Sequence, residues 1–297
     1  MTYEFGDKSK PTLILLHGYL SSAMILYNVF KYLENDFHVI LIDNLGFGVS
    51  SRPTFLGKDY DDGIEYFLQI FEKWRMKMNL TDFNLVGYSM GGYIWAKYAL
   101  KYPQHIKKLA LWSPLGMEPA PENPDEYMLQ KLESLSIFRP VAMKLVQWNC
   151  RNVFNYIDFF RLGGSLFHGL TSSLTVGDAI DSYGSCQKEV YKKFKNQTLL
   201  AKESSEVVLT YLTKYYVMPH EPLLNDLDKF EKFGIDLSIV YGNKTDFLNT
   251  DFEQSGEPIS DRLFARGWNV HVLEHSDHDL VSHEPKKLTT LLKSFLI

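Results

Sequence analysis

Phe83-Asn84-Leu85-Val86-Gly87-Tyr88-Ser89-Met90-Gly91-Gly92-Tyr93-Ile94-Trp95-Ala96-Lys97-Tyr98 is the stretch that decides the fold of this chain. Its first four residues are a short, β-prone apolar run, and from Gly92 to Tyr102 apolar side chains recur at helical spacing until Pro103. The stretch therefore reads as strand, tight turn, helix. A serine at the apex of such a turn takes a strained backbone conformation. Gly87 and Gly91, two residues either side, remove the Cβ atoms that would collide with strand and helix. A Gly-x-Ser-x-Gly string occurs in many ordinary turns, so it is this context that makes Ser89 a nucleophile candidate.

Working outward, Thr12–Leu16 and Val39–Ile42 are continuous apolar runs, ending at His17-Gly18 and at Asp43. Runs without alternation suit strands buried on both faces of a parallel sheet. Met24 to Leu33 reads as a helix. Gly63 to Met78 reads as a longer one, with Ile64, Phe67, Leu68, Phe71, Trp74 and Arg75 along one face. Lys108–Trp112 follows as a strand, and the β-α-β-α-β rhythm predicts a doubly wound, mostly parallel α/β fold. The rhythm breaks at the proline-rich joint Met117–Pro124, helical patterns run to about Tyr216, and strands resume at Leu237–Gly242 and Val270–Leu273 before a closing helix from Glu284 to Leu296. The expected organisation is a core of residues 1–116 and 226–297 carrying a helical lid, 117–225.

A serine hydroxyl is a weak nucleophile at neutral pH and needs a base in contact with it and a carboxylate to orient that base. In such a fold the chain order is serine, acid, histidine. Asp246, in the turn after the strand ending at Tyr241, is the expected acid, with Asp251 in reserve. Glu274–Pro285 holds three histidines, of which His278, in the turn before an apolar pair, is the expected base; His275 and His283 are expected to cap or solvate the turn. An oxyanion needs two preorganised donors, expected from the backbone N–H groups of Met90, after the nucleophile, and Tyr19, in the His17-Gly18-Tyr19 loop. His17 itself is expected to shape that loop by hydrogen bonding.

Composition narrows the classes. The 297 residues are 45% hydrophobic, with 31 basic and 36 acidic side chains for a formal charge of −5, so no general electrostatic pull toward nucleic acid exists and no nucleic-acid motif appears. The two cysteines, Cys150 and Cys186, indicate by their spacing neither a disulfide framework nor a thiolate metal site. No metal or other cofactor is expected. The first residues lack a signal-peptide core and no apolar run approaches the ~20 residues of a membrane span. These features predict an intracellular protein in the cytoplasm or peripheral to a membrane. Paired aromatic and aliphatic residues of the lid, Phe159-Phe160 and Tyr215-Tyr216 among them, offer apolar surface for an acyl chain or a bilayer.

Leu15–Tyr19, Ile42–Pro53 with its Asp-x-x-Gly-x-Gly-x-Ser loop, and Val86–Gly92 together resemble the α/β-hydrolase superfamily. Phe71-Glu72-Lys73-Trp74-Arg75 and the Ser50-Ser51-Arg52-Pro53 ending narrow the resemblance to a lipid-acting branch. That branch contains the lipid-droplet lipase co-activator, the N-acyl-phosphatidylethanolamine lipase and the mitochondrial cardiolipin deacylases. It implies a phospholipid, lysophospholipid or acylglycerol substrate and allows a mitochondrial location. Co-activator members carry asparagine at the position of Ser89, which favours hydrolysis here. Members with a proposed acyltransferase motif have aspartate five positions after the histidine, where this chain has His283. The N-terminal strands usual in the branch are expected to be short or absent. Ester hydrolysis, acyl transfer to a lysolipid, and a catalytically idle lipid-binding or interaction module are the readings the sequence leaves open.

Overall fold

The computed structural model describes residues 1–124, 126–127, 201–202, 204–214, 218–243, 245–249 and 256–297. Most of the expected lid, with its aromatic pairs, and the reserve acid Asp251 lie outside the described residues. The core is a seven-stranded sheet of β1 (Thr2–Phe5), β2 (Thr12–Leu16), β3 (His38–Ile42), β4 (Phe83–Tyr88), β5 (Ile106–Trp112), β6 (Asp236–Gly242) and β7 (Val270–Leu273). The strands lie in the order β1-β3-β2-β4-β5-β6-β7. Only β1 is antiparallel, pairing Thr2 with Ile42 through Phe5 with Val39. This is the mostly parallel α/β architecture that the apolar runs predict.

Because side chains alternate across a strand, each parallel strand feeds two cores. Ile14, Leu16, Ile40 and Leu85 face helices α1 (Tyr60–Met78) and α2 (Met90–Lys101), where Phe67, Phe71, Trp95 and Tyr98 are buried with them. Leu13, Leu15, Val39, Leu41 and Val86 face the opposite side, with Val29, Phe30 and, from the closing helix, Leu288 and Leu292. Helix α1 starts at Asp59, whose side chain accepts the Asp62 N–H, and ends at Asn79 in the left-handed region with φ 54°. Helices α3 (Leu227–Lys232), α4 (Ile259–Ala265) and α5 (Pro285–Leu296) complete the scaffold, α5 opening with proline at its first turn.

Two local expectations need correction. Residues 24–33 do not form one helix: a 3₁₀ turn, Ala23–Leu26, leads into a single α-turn, Tyr27–Phe30. Aromatic, asparagine and β-branched residues at 27–30 are weak helix formers, and the segment is pinned at its start by the Ala23 N–H donating to Asp43 Oδ1 at 2.6 Å. Within the span read as helical, Thr213–Lys214 and Met218–Pro219 pair as a small antiparallel ladder.

Candidate functional site

The carboxyl ends of the parallel strands carry the candidate residues. Ser89 sits between β4 and α2 with φ 55° and ψ −120°. Non-glycine residues pay for a positive φ, and such strain persists where the surroundings over-determine it. Here the Ser89 N–H donates to Trp112 O at 2.9 Å, and its carbonyl accepts from Gly92 at 2.9 Å and Leu115 at 3.0 Å. The glycines beside it have no room for a side chain. A Cβ on Gly87 would lie 2.5 Å from Gly91 O, and one on Gly91 would lie 2.5 Å from Leu16 O.

The turns after β6 and β7 meet at this serine. Ser89 Oγ donates to His278 Nε2 at 3.1 Å, and His278 Nδ1–H donates to Asp246 Oδ1 at 3.1 Å. The Asp246 carboxylate also accepts the backbone N–H groups of Gly242 and Leu248, each at 3.0 Å. Burial alone would raise its pKa. The hydrogen bond and charge of His278, the Ser113 hydroxyl and the Leu248 N–H outweigh burial and hold it below the usual carboxylate value. Asp246 is 1% exposed, so its ionised form is kept by these donors and not by water.

The imidazole is fixed on both sides. The Tyr88 ring stacks on it at 5.3 Å while the Tyr88 hydroxyl donates to His278 O at 2.9 Å, and Phe247 lies 4.4 Å from it. The other two histidines of the turn do not reach the serine: His283 Nδ1 lies 3.3 Å from Asp277 Oδ1, and His275 is exposed.

Gly18 packs against the nucleophile, where an added Cβ would lie 2.9 Å from Ser89 Cβ and 3.4 Å from Oγ. Tyr19 follows it, and its ring meets Phe47 edge-on at 5.7 Å. Met90 is the first residue of α2, so its N–H is one of those with no acceptor inside the helix. His17 is fully buried. Its Nε2 accepts the Asn44 N–H at 3.2 Å, which leaves Nδ1–H to donate to Gly18 O at 2.7 Å. Burial lowers its pKa against the opposing pull of Asp43, consistent with this neutral, loop-tying tautomer.

Ser113, at the end of β5, is the site residue that sequence reasoning misses. Its hydroxyl donates to Asp246 Oδ2, and its oxygen lies 3.0 Å from His278 Nδ1. A serine after an apolar strand looks like any turn residue, and its partners lie 133 and 165 positions away. Among the described residues no cluster of three or more metal-ligating side chains occurs, and no helix is long and apolar enough to cross a membrane.

Sheet order, crossover helices and a strained serine at a strand–helix turn define an α/β-hydrolase fold, and the family described as "alpha/beta hydrolase fold" matches residues 11–151. The chain has the α/β-hydrolase fold and resembles lipid-acting members of the α/β-hydrolase superfamily. A rice (Oryza sativa subsp. japonica) protein named probable 1-acylglycerol-3-phosphate O-acyltransferase is 30% identical over 256 residues, 82% of this chain and 58% of that protein. A 1-acylglycerol-3-phosphate O-acyltransferase of Arabidopsis thaliana is 31% identical over 252 residues, 82% of this chain and 57% of its own. The chain thus spans a little over half the length of these relatives. Among solved structures, a bacterial membrane phospholipase A superposes with a TM-score of 0.65 over 99% of this chain and 81% of that one, at 19% identity. That likeness is one of fold.

Proposed function

We propose that this chain is a cofactor-independent serine ester hydrolase acting on an acyl lipid: a phospholipid, lysophospholipid or acylglycerol. The observation that carries the reading is the unbroken hydrogen-bonded line from Ser89 Oγ through His278 to Asp246. Ser89 Oγ attacks the acyl carbonyl carbon as its proton passes to His278 Nε2. Asp246 holds the Nδ1–H tautomer and stabilises the imidazolium that forms. The N–H groups of Tyr19 and Met90 take the oxyanion. The carbon–oxygen bond to the leaving alcohol then breaks, the alcohol takes the proton from His278, and water, deprotonated by the same imidazole, releases the fatty acid from Ser89. Resemblance to lipid-acting relatives supports the substrate class.

Acyl transfer to a lysolipid is the second reading, favoured by the names of the relatives. It differs only in which hydroxyl attacks the acyl-enzyme. At the position of the aspartate in the proposed acyltransferase motif, this chain has His283, held beside Asp277. Release of fatty acid from a long-chain lysophosphatidylcholine, with and without added lysophosphatidic acid as acceptor, tests both readings. Hydrolysis predicts free fatty acid in both cases, lost in Ser89→Ala; transfer predicts acylated acceptor at its expense. Turnover unchanged in Ser89→Ala would refute either.

A further inference from the structure

Ser113 has 0% exposure and a backbone φ of 41°, a conformation that among described non-glycine residues is shared only by Leu20, Asn79 and Ser89. Asn79 is accounted for as a helix cap. The other three follow the carboxyl ends of β2, β4 and β5, beside the site. Strain of this kind gathers where a side chain or backbone group must be aimed.

The Asp246 carboxylate receives four donors. Gly242 and Leu248 belong to its own turn, and His278 is the group it orients. Ser113 alone comes from the neighbouring strand, and it donates to Oδ2, the oxygen that does not face the imidazole. The same end of β5 holds the nucleophile on its other edge, since Trp112 O accepts the Ser89 N–H at 2.9 Å. Ser113 is further anchored by its own N–H, which donates to Val240 O on β6 at 2.7 Å.

We propose that Ser113 is a positioning residue whose hydroxyl bridges Asp246 and His278, tying the acid's turn to the end of β5 that also holds the nucleophile. The proposal rests on the reading of Ser89, His278 and Asp246 as an acyl-transfer relay. The hydroxyl donates its proton to Asp246 Oδ2, turning Oδ1 toward the imidazole, and its oxygen shares the Nδ1–H. By spreading the carboxylate's charge over a fourth donor, it keeps Asp246 from over-stabilising the imidazolium. Other titratable groups around the pair are Tyr241, beside Asp246, and Asp279 and Tyr88, beside His278. None of them is altered by a change at position 113.

The test is the second-order rate of fluorophosphonate labelling of the full chain across pH 5–9. It compares wild type, Ser113→Ala and Ser113→Gly, with Ser89→Ala as blank and thermal unfolding as the check on folding. Glycine relieves the positive φ while removing the hydroxyl, so it separates hydrogen bonding from backbone strain. Loss of a hydrogen bond to a charged group predicts a fall of roughly ten- to a hundredfold in both variants. The acid limb should move to higher pH, because the undiluted carboxylate favours the protonated imidazole. A folded Ser113→Gly that labels at the wild-type rate overturns the proposal, as does a slower variant with an unmoved limb, which marks a merely structural role. In both cases Ser89-dependent labelling of wild type survives. Wild type that fails to label, or labels equally in Ser89→Ala, overturns the underlying relay and the proposal with it.

Discussion

In the proposed mechanism, a single methyl group separates an open oxyanion site from a filled one. An alanine Cβ at position 18 would stand 2.9 Å from Ser89 Cβ and 3.4 Å from Oγ, where the carbonyl oxygen of a bound ester would need to lie between Tyr19 and Met90. Gly18 has no positive φ, so the substitution adds no backbone strain. Gly18→Ala is expected to force a shift at Ser89, lowering the unfolding temperature modestly, and to lose roughly 10²–10³ in kcat, the scale on which an oxyanion donor contributes. Ester kinetics beside a thermal melt check this; wild-type turnover would place the oxyanion elsewhere. Gly18, Gly87 and Gly91 act in the same sense, each through the atoms a Cβ would displace.

Strand ends and the turns that follow them bring the distant parts of the site together. The turns after β6 and β7 touch so closely that a Cβ on Gly242 would lie 2.0 Å from Asp277 O. The second of these turns runs through His278 and Asp279 into a short helix, Leu280–His283, and α5 then packs Leu288 and Leu292 into the core. Asp279 has a pKa raised by burial, which the Ser282 hydroxyl and the nearby His283 and His278 only partly offset. The native state thus holds that proton more tightly than the unfolded chain. Stability falls as pH rises from the ordinary carboxylate range through the raised native value, and the penalty is full above it. Asp279→Asn should raise the unfolding temperature at pH 7, with the gain vanishing at about pH 3.5, where the carboxyl is protonated in both states. A gain independent of pH would show that burial of this charge is not the cause. The raised group is the neighbour of His278 in the turn that leads into the Leu280–His283 helix.

The architecture was legible in the sequence wherever the information is local. Continuous apolar runs marked β2 and β3, shorter β-prone runs marked β4 to β7, and the glycines around Ser89 marked the turn that binds strand to helix. Strand β1 was not legible, because four residues of mixed exposure become a strand only by antiparallel pairing with β3, 34 to 40 positions away. Asp246 and His278 could be expected from the order of elements, since each falls in the turn after a late strand. Ser113 could not, since its importance lies in two hydrogen bonds across the sheet edge. Acyl-lipid chemistry is suggested by relatives of which the chain spans little more than half, so it rests on the behaviour of Ser89 itself. The most direct measurement is mass-spectrometric mapping of the fluorophosphonate adduct on the folded chain, beside His278→Ala. An activated serine predicts one adduct, on Ser89, and its near-complete loss when the imidazole is removed. A folded wild-type chain carrying no adduct at Ser89, or one undiminished in His278→Ala, would contradict the account.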